Sequence, residues 1–179
     1  MTPSDALALR YDRRTLALHW LTAALVVALW LLGQTIDWFA RGDPRAIARS
    51  AHIALGVVLA LVLARRIWWR FGGGVHLPPT GAGVADRLAT ATHTLLYLLL
   101  VGTVLLGVAN AWVRGDTLFL LWKIPAFDAG NTALRKSVEE LHSWAANLLL
   151  IVAGLHAAAA LLHHFVLKDG VLRRMLPGR

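Results

Sequence analysis

The chain has 179 residues, of which 58% are apolar and 16% charged, against about 45–50% and about 25% in a soluble domain; it is composed neither like a soluble protein nor like a disordered one. Eighteen Lys and Arg against ten Asp and Glu give a net charge of +8; the basic residues flank long apolar runs, so the charge points to a membrane and not to nucleic acid. The absence of cysteine excludes disulfides, iron–sulfur clusters, Cys-ligated zinc and covalent C-x-x-C-H haem attachment.

Four segments have the length, about 20 residues, that a helix needs to cross a bilayer. The first spans residues 16–38 and contains LALHWLTAALVVALWLLG. Its apolar run exceeds a signal-peptide core and no convincing A-x-A site follows, so it is expected to be a retained membrane helix. A short polar link, 39–49, leads to the second segment, 50–69. Residues 70–87 form a Gly/Pro-rich link that regular structure cannot fill. The third segment spans 88–113 and the fourth 141–167. Between them lies the longest link, 114–140, whose apolar patch LFLLWKIP suits a membrane surface. The segment cores carry no Asp, Glu, Lys or Arg. Four strands cannot close a barrel in lipid, so the expected fold is all-α: a single membrane domain, 1–179, forming a four-helix bundle.

Lys and Arg set the orientation. Eleven lie on one side (Arg10, Arg13, Arg14, Arg65, Arg66, Arg70, Arg87, Lys168, Arg173, Arg174, Arg179) and seven on the other (Arg41, Arg45, Arg49, Arg114, Lys123, Arg135, Lys136). Both termini are therefore expected in the cytoplasm. Trp30, Trp38, Trp68, Trp69, Trp112 and Trp144 fall mostly near segment ends, where interface anchors belong.

Ionisable groups inside a membrane are costly and mostly functional. Seven histidines qualify: His19, His52, His93, His142, His156, His163 and His164; His76 lies in the Gly/Pro link and is expected to be solvated. A proton relay would bring carboxylates into the helices, and catalytic zinc would group three ligands at one point. Neither pattern is present. His142 and His156 are fourteen residues apart, which returns to within about 40° of the same helix face, about 21 Å along the axis. One face thus offers an imidazole at two depths, as two non-covalent haems need. His52 matches the depth of His142 at the outer level. At the inner level His19 pairs with His156 or His93, and geometry leaves that choice open. Gly33, Gly56, Gly102, Gly107 and Gly154 offer close approach between helices.

The chain resembles the bacterial cytochrome b561 family of four-helix di-haem membrane cytochromes. The match is carried by LALHW around His19, AHIALG around His52, LHSWAANLLL from Leu141, and GLHAAAALLHHF followed by KDGVLRRMLP, and runs from Tyr11 to Pro177. The resemblance implies two haem b, with His19 and His156 as iron ligands of the inner one and His52 and His142 of the outer one, in the bacterial inner membrane. It also implies an oxidoreductase passing electrons from superoxide outside the cytoplasm to ubiquinone, with the quinone beside His163 and His164 the weaker candidate. The alternative is a cytochrome b subunit linking a protein partner, such as a dehydrogenase or hydrogenase, to the quinone pool. A haem-free binder or transporter, with the histidines as gating groups, is disfavoured because nothing else in the helix cores is charged. Near the outer level Arg49, Arg135 and Lys136 are best placed to attract an anionic donor.

Overall fold

A computed structural model describes residues 10–78 and 83–176. Residues 79–82 of the Gly/Pro link, and Pro177 and Arg179 at the C-terminus, lie outside the described residues. Four long helices make the fold: α1 (Arg13–Thr35), α2 (Asp43–Gly72), α3 (Val84–Arg114) and α4 (Thr132–Leu162). All four are long and apolar enough to span a membrane. The helices outrun their apolar stretches because polar residues cap and extend them. α2 begins at Asp43, with Pro in its first turn, and α4 at Thr132, where the Asn131 side chain accepts from Leu134 N at 2.9 Å. α3 stops at Gly115, whose φ of +65° suits glycine and whose Cβ position would lie 2.6 Å from Ala126 Cβ.

The apolar patch of the long link folds into a small antiparallel hairpin, β1 (Thr117–Leu118) and β2 (Trp122–Lys123). Ser50, the most buried side chain, fastens it to α2: Ser50 Oγ accepts from Phe119 N at 2.8 Å and donates to the Ala46 carbonyl at 2.7 Å. Leu121 at the tip and Trp122 are exposed.

The chain ends gather at the opposite end. Asp12 caps α1 through Thr15 N, and the same carboxylate accepts from Trp69 Nε1 and Val75 N, tying the start of α1 to the end of α2. α4 runs into a π-helical turn, His163–Leu167, and then a 3-10 turn, Leu172–Met175. That last turn packs back: Trp20 Nε1 donates to the Met175 carbonyl and Arg174 to the Pro78 carbonyl.

α1 packs along α2 and α3 along α4, while contact between these two hairpins is sparse. A leucine cluster at mid-depth joins them: Leu25, Leu29, Leu59, Leu63, Leu100 and Leu149. Trp38, Trp68 and Trp112 stay exposed near helix ends, as lipid-interface anchors do.

Candidate functional site

The leucine cluster separates two polar levels, and each helix contributes one residue to each. The two contributions are always fourteen residues apart: His19 and Gly33 on α1, His52 and Arg66 on α2, His93 and Gly107 on α3, His142 and His156 on α4. Fourteen residues make nearly four turns, so the members of each pair share a helix face and lie about 21 Å apart. The helices alternate in direction. The hairpin end therefore collects Gly33, His52, Gly107 and His142, and the end bearing the termini collects His19, Arg66, His93 and His156.

At the hairpin-end level the rings of His52 and His142 face one another, with centroids 6.2 Å apart and planes at 88°. Two imidazoles on opposite sides of one metal ion, each bonded at about 2 Å, place their centroids about 6 Å apart. The spacing therefore suits axial ligation. His142 Nδ1 lies 3.1 Å from the Thr103 carbonyl. It donates its proton there, which leaves the Nε2 lone pair for a metal. His52 Nδ1 is buried without a hydrogen bond, beside the Leu29 carbonyl. Glycine backs both rings. A Cβ at Gly33 would lie 3.3 Å from His52 Cε1, and one at Gly107 3.1 Å from His142 Cε1. Among the described residues no three His, Cys, Asp or Glu side chains converge on a metal by themselves. The two imidazoles fit a metal ion whose remaining ligands would come from a macrocycle.

At the other level His156 and His93 are in ring contact, with centroids 5.2 Å apart. His19 is within electrostatic range of both. Its Nδ1 is 3.1 Å from Arg66 Nη2. The structure thus groups all three inner-level histidines, and adds an arginine that the sequence reading had counted only as a loop charge.

The remaining candidates lie toward the ends. His163 opens the π-helical turn and its Nδ1 contacts Asp169 Oδ2. Lys168 at φ +53° and Gly170 at φ +80° turn the chain back to make that contact. Burial works against ionisation of Asp169, but its bond with His163 holds the carboxyl below the usual range. His164 meets Phe165 edge-on and His76 is exposed. At the hairpin end the cations are largely paired. Arg49 and Arg114 share Asp116, Arg114 also binds Glu139 at 2.7 Å, Arg45 binds Asp37 and Lys136 lies 3.8 Å from Glu140. Of the three cations singled out above, Arg49 and Lys136 are in ion pairs and Arg135 is exposed. Of the five glycines named from the sequence, Gly56, Gly102 and Gly154 meet nothing within 4 Å, and Gly33 and Gly107 serve close approach.

Residues 10–178 match the family described as prokaryotic cytochrome b561. A protein of Yersinia pestis named "Probable superoxide oxidase CybB" is 29% identical over 94% of this chain and 96% of its own length. "Cytochrome b561 homolog 1" of Escherichia coli K12 is 28% identical over 95% and 98%. "Cytochrome b562" of Cereibacter sphaeroides is 31% identical over 94% and 96%.

Proposed function

Because the chain belongs to the prokaryotic cytochrome b561 family, haem-binding electron-transfer proteins of the bacterial inner membrane, we propose that it is a superoxide:quinone oxidoreductase. In this reading His52 and His142 ligate one haem b and His19 and His156 a second, with both termini in the cytoplasm and the hairpin end facing the periplasm. The carrying observation is the His52–His142 pair, whose rings, 6.2 Å apart, are spaced so that both imidazoles would hold one haem iron. Bound haem b supplies a one-electron couple at each level.

The chain's own groups have distinct tasks. Thr103 holds the tautomer and orientation of His142. The leucine cluster keeps water out of the layer between the levels. Superoxide is an anionic one-electron donor that needs no bond-making residue, only access and attraction. Arg135 and Lys123 are exposed at the hairpin end and raise its local concentration. Quinone reduction consumes protons. His163 is held through Nδ1 by Asp169; with both ring nitrogens protonated, its Nε2–H can donate to a quinone carbonyl and pass it a proton. The balance is two superoxide, one ubiquinone and two protons giving two O₂ and one ubiquinol. The name of the Yersinia pestis relative supports the donor.

The test is rapid mixing of the oxidised protein with superoxide, followed by ubiquinone, in detergent. Reduced b-type bands should grow in milliseconds and decay on quinone addition, and His163→Ala should slow only the decay. Bands that appear with a chemical reductant but never with superoxide would overturn the donor assignment. The second reading, an electron-transfer subunit with a protein partner, is favoured by one feature: the exposed apolar tip of the hairpin, where Leu121 is 90% and Trp122 72% accessible, at the end that receives electrons. A partner that survives gentle purification would support it.

A further inference from the structure

Arg66 brings a guanidinium into the terminal-end level, where Arg70 also acts on His93, and the electron path above does not use it. It stands to His52 on α2 as His156 stands to His142 on α4. Its guanidinium sits 5.1 Å over the Tyr97 ring and reaches His19 Nδ1, and its charge is felt at His93 and His156. A guanidinium has five donors, no acceptor, and does not deprotonate. In this contact His19 Nδ1 must therefore accept, so the proton of the neutral ring sits on Nε2. That is the reverse of His142, whose Nδ1 donates to Thr103. An imidazole protonated on Nε2 cannot ligate through Nε2. Ligation by His19 moves its proton to Nδ1 and takes away the acceptor of Arg66. A cation left without an acceptor in an apolar span is costly, and the helix cores supply no Asp or Glu.

We infer that Arg66 is a carboxylate-holding residue. Released from His19, it takes a propionate of the haem seated between His19 and His156, in the bidentate manner suited to its planar fork. The inference rests on the di-haem reading above. A fixed cation at this level also favours the reduced state, so Arg66 sets the inner level as the better electron acceptor.

The experiment is an optical redox titration of the purified full-length protein, with Arg66→Met, Arg66→Lys and Arg65→Met. Arg65 is exposed and lies over Trp69, so its variant removes the same charge from the surface. Arg66→Met should shift the reduction equilibrium of one haem by tenfold or more toward the oxidised form, about 59 mV for a one-electron couple. The other haem should not move. Arg66→Lys should recover part of the shift, and Arg65→Met should change neither haem by more than about threefold, the scale of a screened surface charge. Redox-difference infrared spectra should lose a carboxylate band in Arg66→Met and keep it in Arg65→Met. If Arg66→Met loses one haem while the other and the helix content persist, the anchoring role is supported. Unchanged potentials and unchanged carboxylate bands in Arg66→Met overturn the inference. A wild-type protein that purifies without haem overturns the di-haem reading instead, and the two failures are thus distinct.

Discussion

Adding one methyl group at Gly107 tests the hairpin-end level without replacing either histidine. In Gly107→Ala the new Cβ lies 3.1 Å from His142 Cε1 and 3.6 Å from its Nδ1. Carbon atoms rest about 3.5–4.0 Å apart, so the ring must retreat by about half an ångström. It cannot do so freely, because its Nδ1 is bonded to the Thr103 carbonyl on the same helix as Gly107. Metal–ligand distances tolerate about 0.2 Å, and disturbing a ligand's support costs about 10–100-fold in affinity. Haem affinity at this level should therefore fall at least about tenfold, about 1.4 kcal/mol. The helix itself should not suffer, since Ala in place of Gly gains up to about 1 kcal/mol of helix propensity. Gly33→Ala should do less. Its Cβ meets His52 Cε1 at 3.3 Å, a looser approach, and the Leu29 carbonyl beside His52 Nδ1 makes no full hydrogen bond to fix the ring. The assay is the haem-to-protein ratio together with the thermal loss of helix signal. A Gly107→Ala protein carrying wild-type haem with unchanged potentials would refute the reading of this level as a ligation site.

Three further outcomes follow from the same contacts. Asp116→Asn removes the carboxylate shared by Arg49 and Arg114; breaking a buried pair costs about 3–5 kcal/mol, but solvent reaches Arg49, so about 2 kcal/mol is expected in denaturant unfolding. Neutralising Arg135 and Lys123 together should slow reduction by superoxide and weaken its salt dependence; an unchanged rate at low salt refutes their steering role. Burial resists ionisation of Asp12, but bonds from Thr15, Val75 and Trp69 outweigh it and hold its carboxyl at about 2, below its usual 3.8. Its contribution to stability is therefore complete above about pH 4 and lost as the pH falls through about 2. Asp12→Asn should flatten the acid limb of a stability–pH curve between those values, and an unaltered limb would count against the α1–α2 tie.

The four spans were legible in the sequence because hydropathy and length alone select a membrane helix. The helix ends were not, because capping by Asn131 and the Pro in the first turn of α2 extend helices into polar sequence. The histidines were legible as costly residues in an apolar context, and the fourteen-residue interval of α4 gave one face at two depths. The same interval occurs in every helix, but three of the four instances pair unlike residues. A glycine does not announce itself as the partner of a histidine, since its contribution is the room it leaves. Arg66 was hidden for a related reason: in sequence it is one of several cations closing the second span, and only the fold turns it inward to His19 and Tyr97 while its neighbour Arg65 stays outside. The two levels are thus built from complementary sets. At the hairpin end two imidazoles are backed by two glycines, which suits close, apolar enclosure. At the terminal end three imidazoles share their layer with a cation. In the proposed reading that asymmetry makes this level the electron acceptor, and it resides in residues that spacing within a single helix could not interpret.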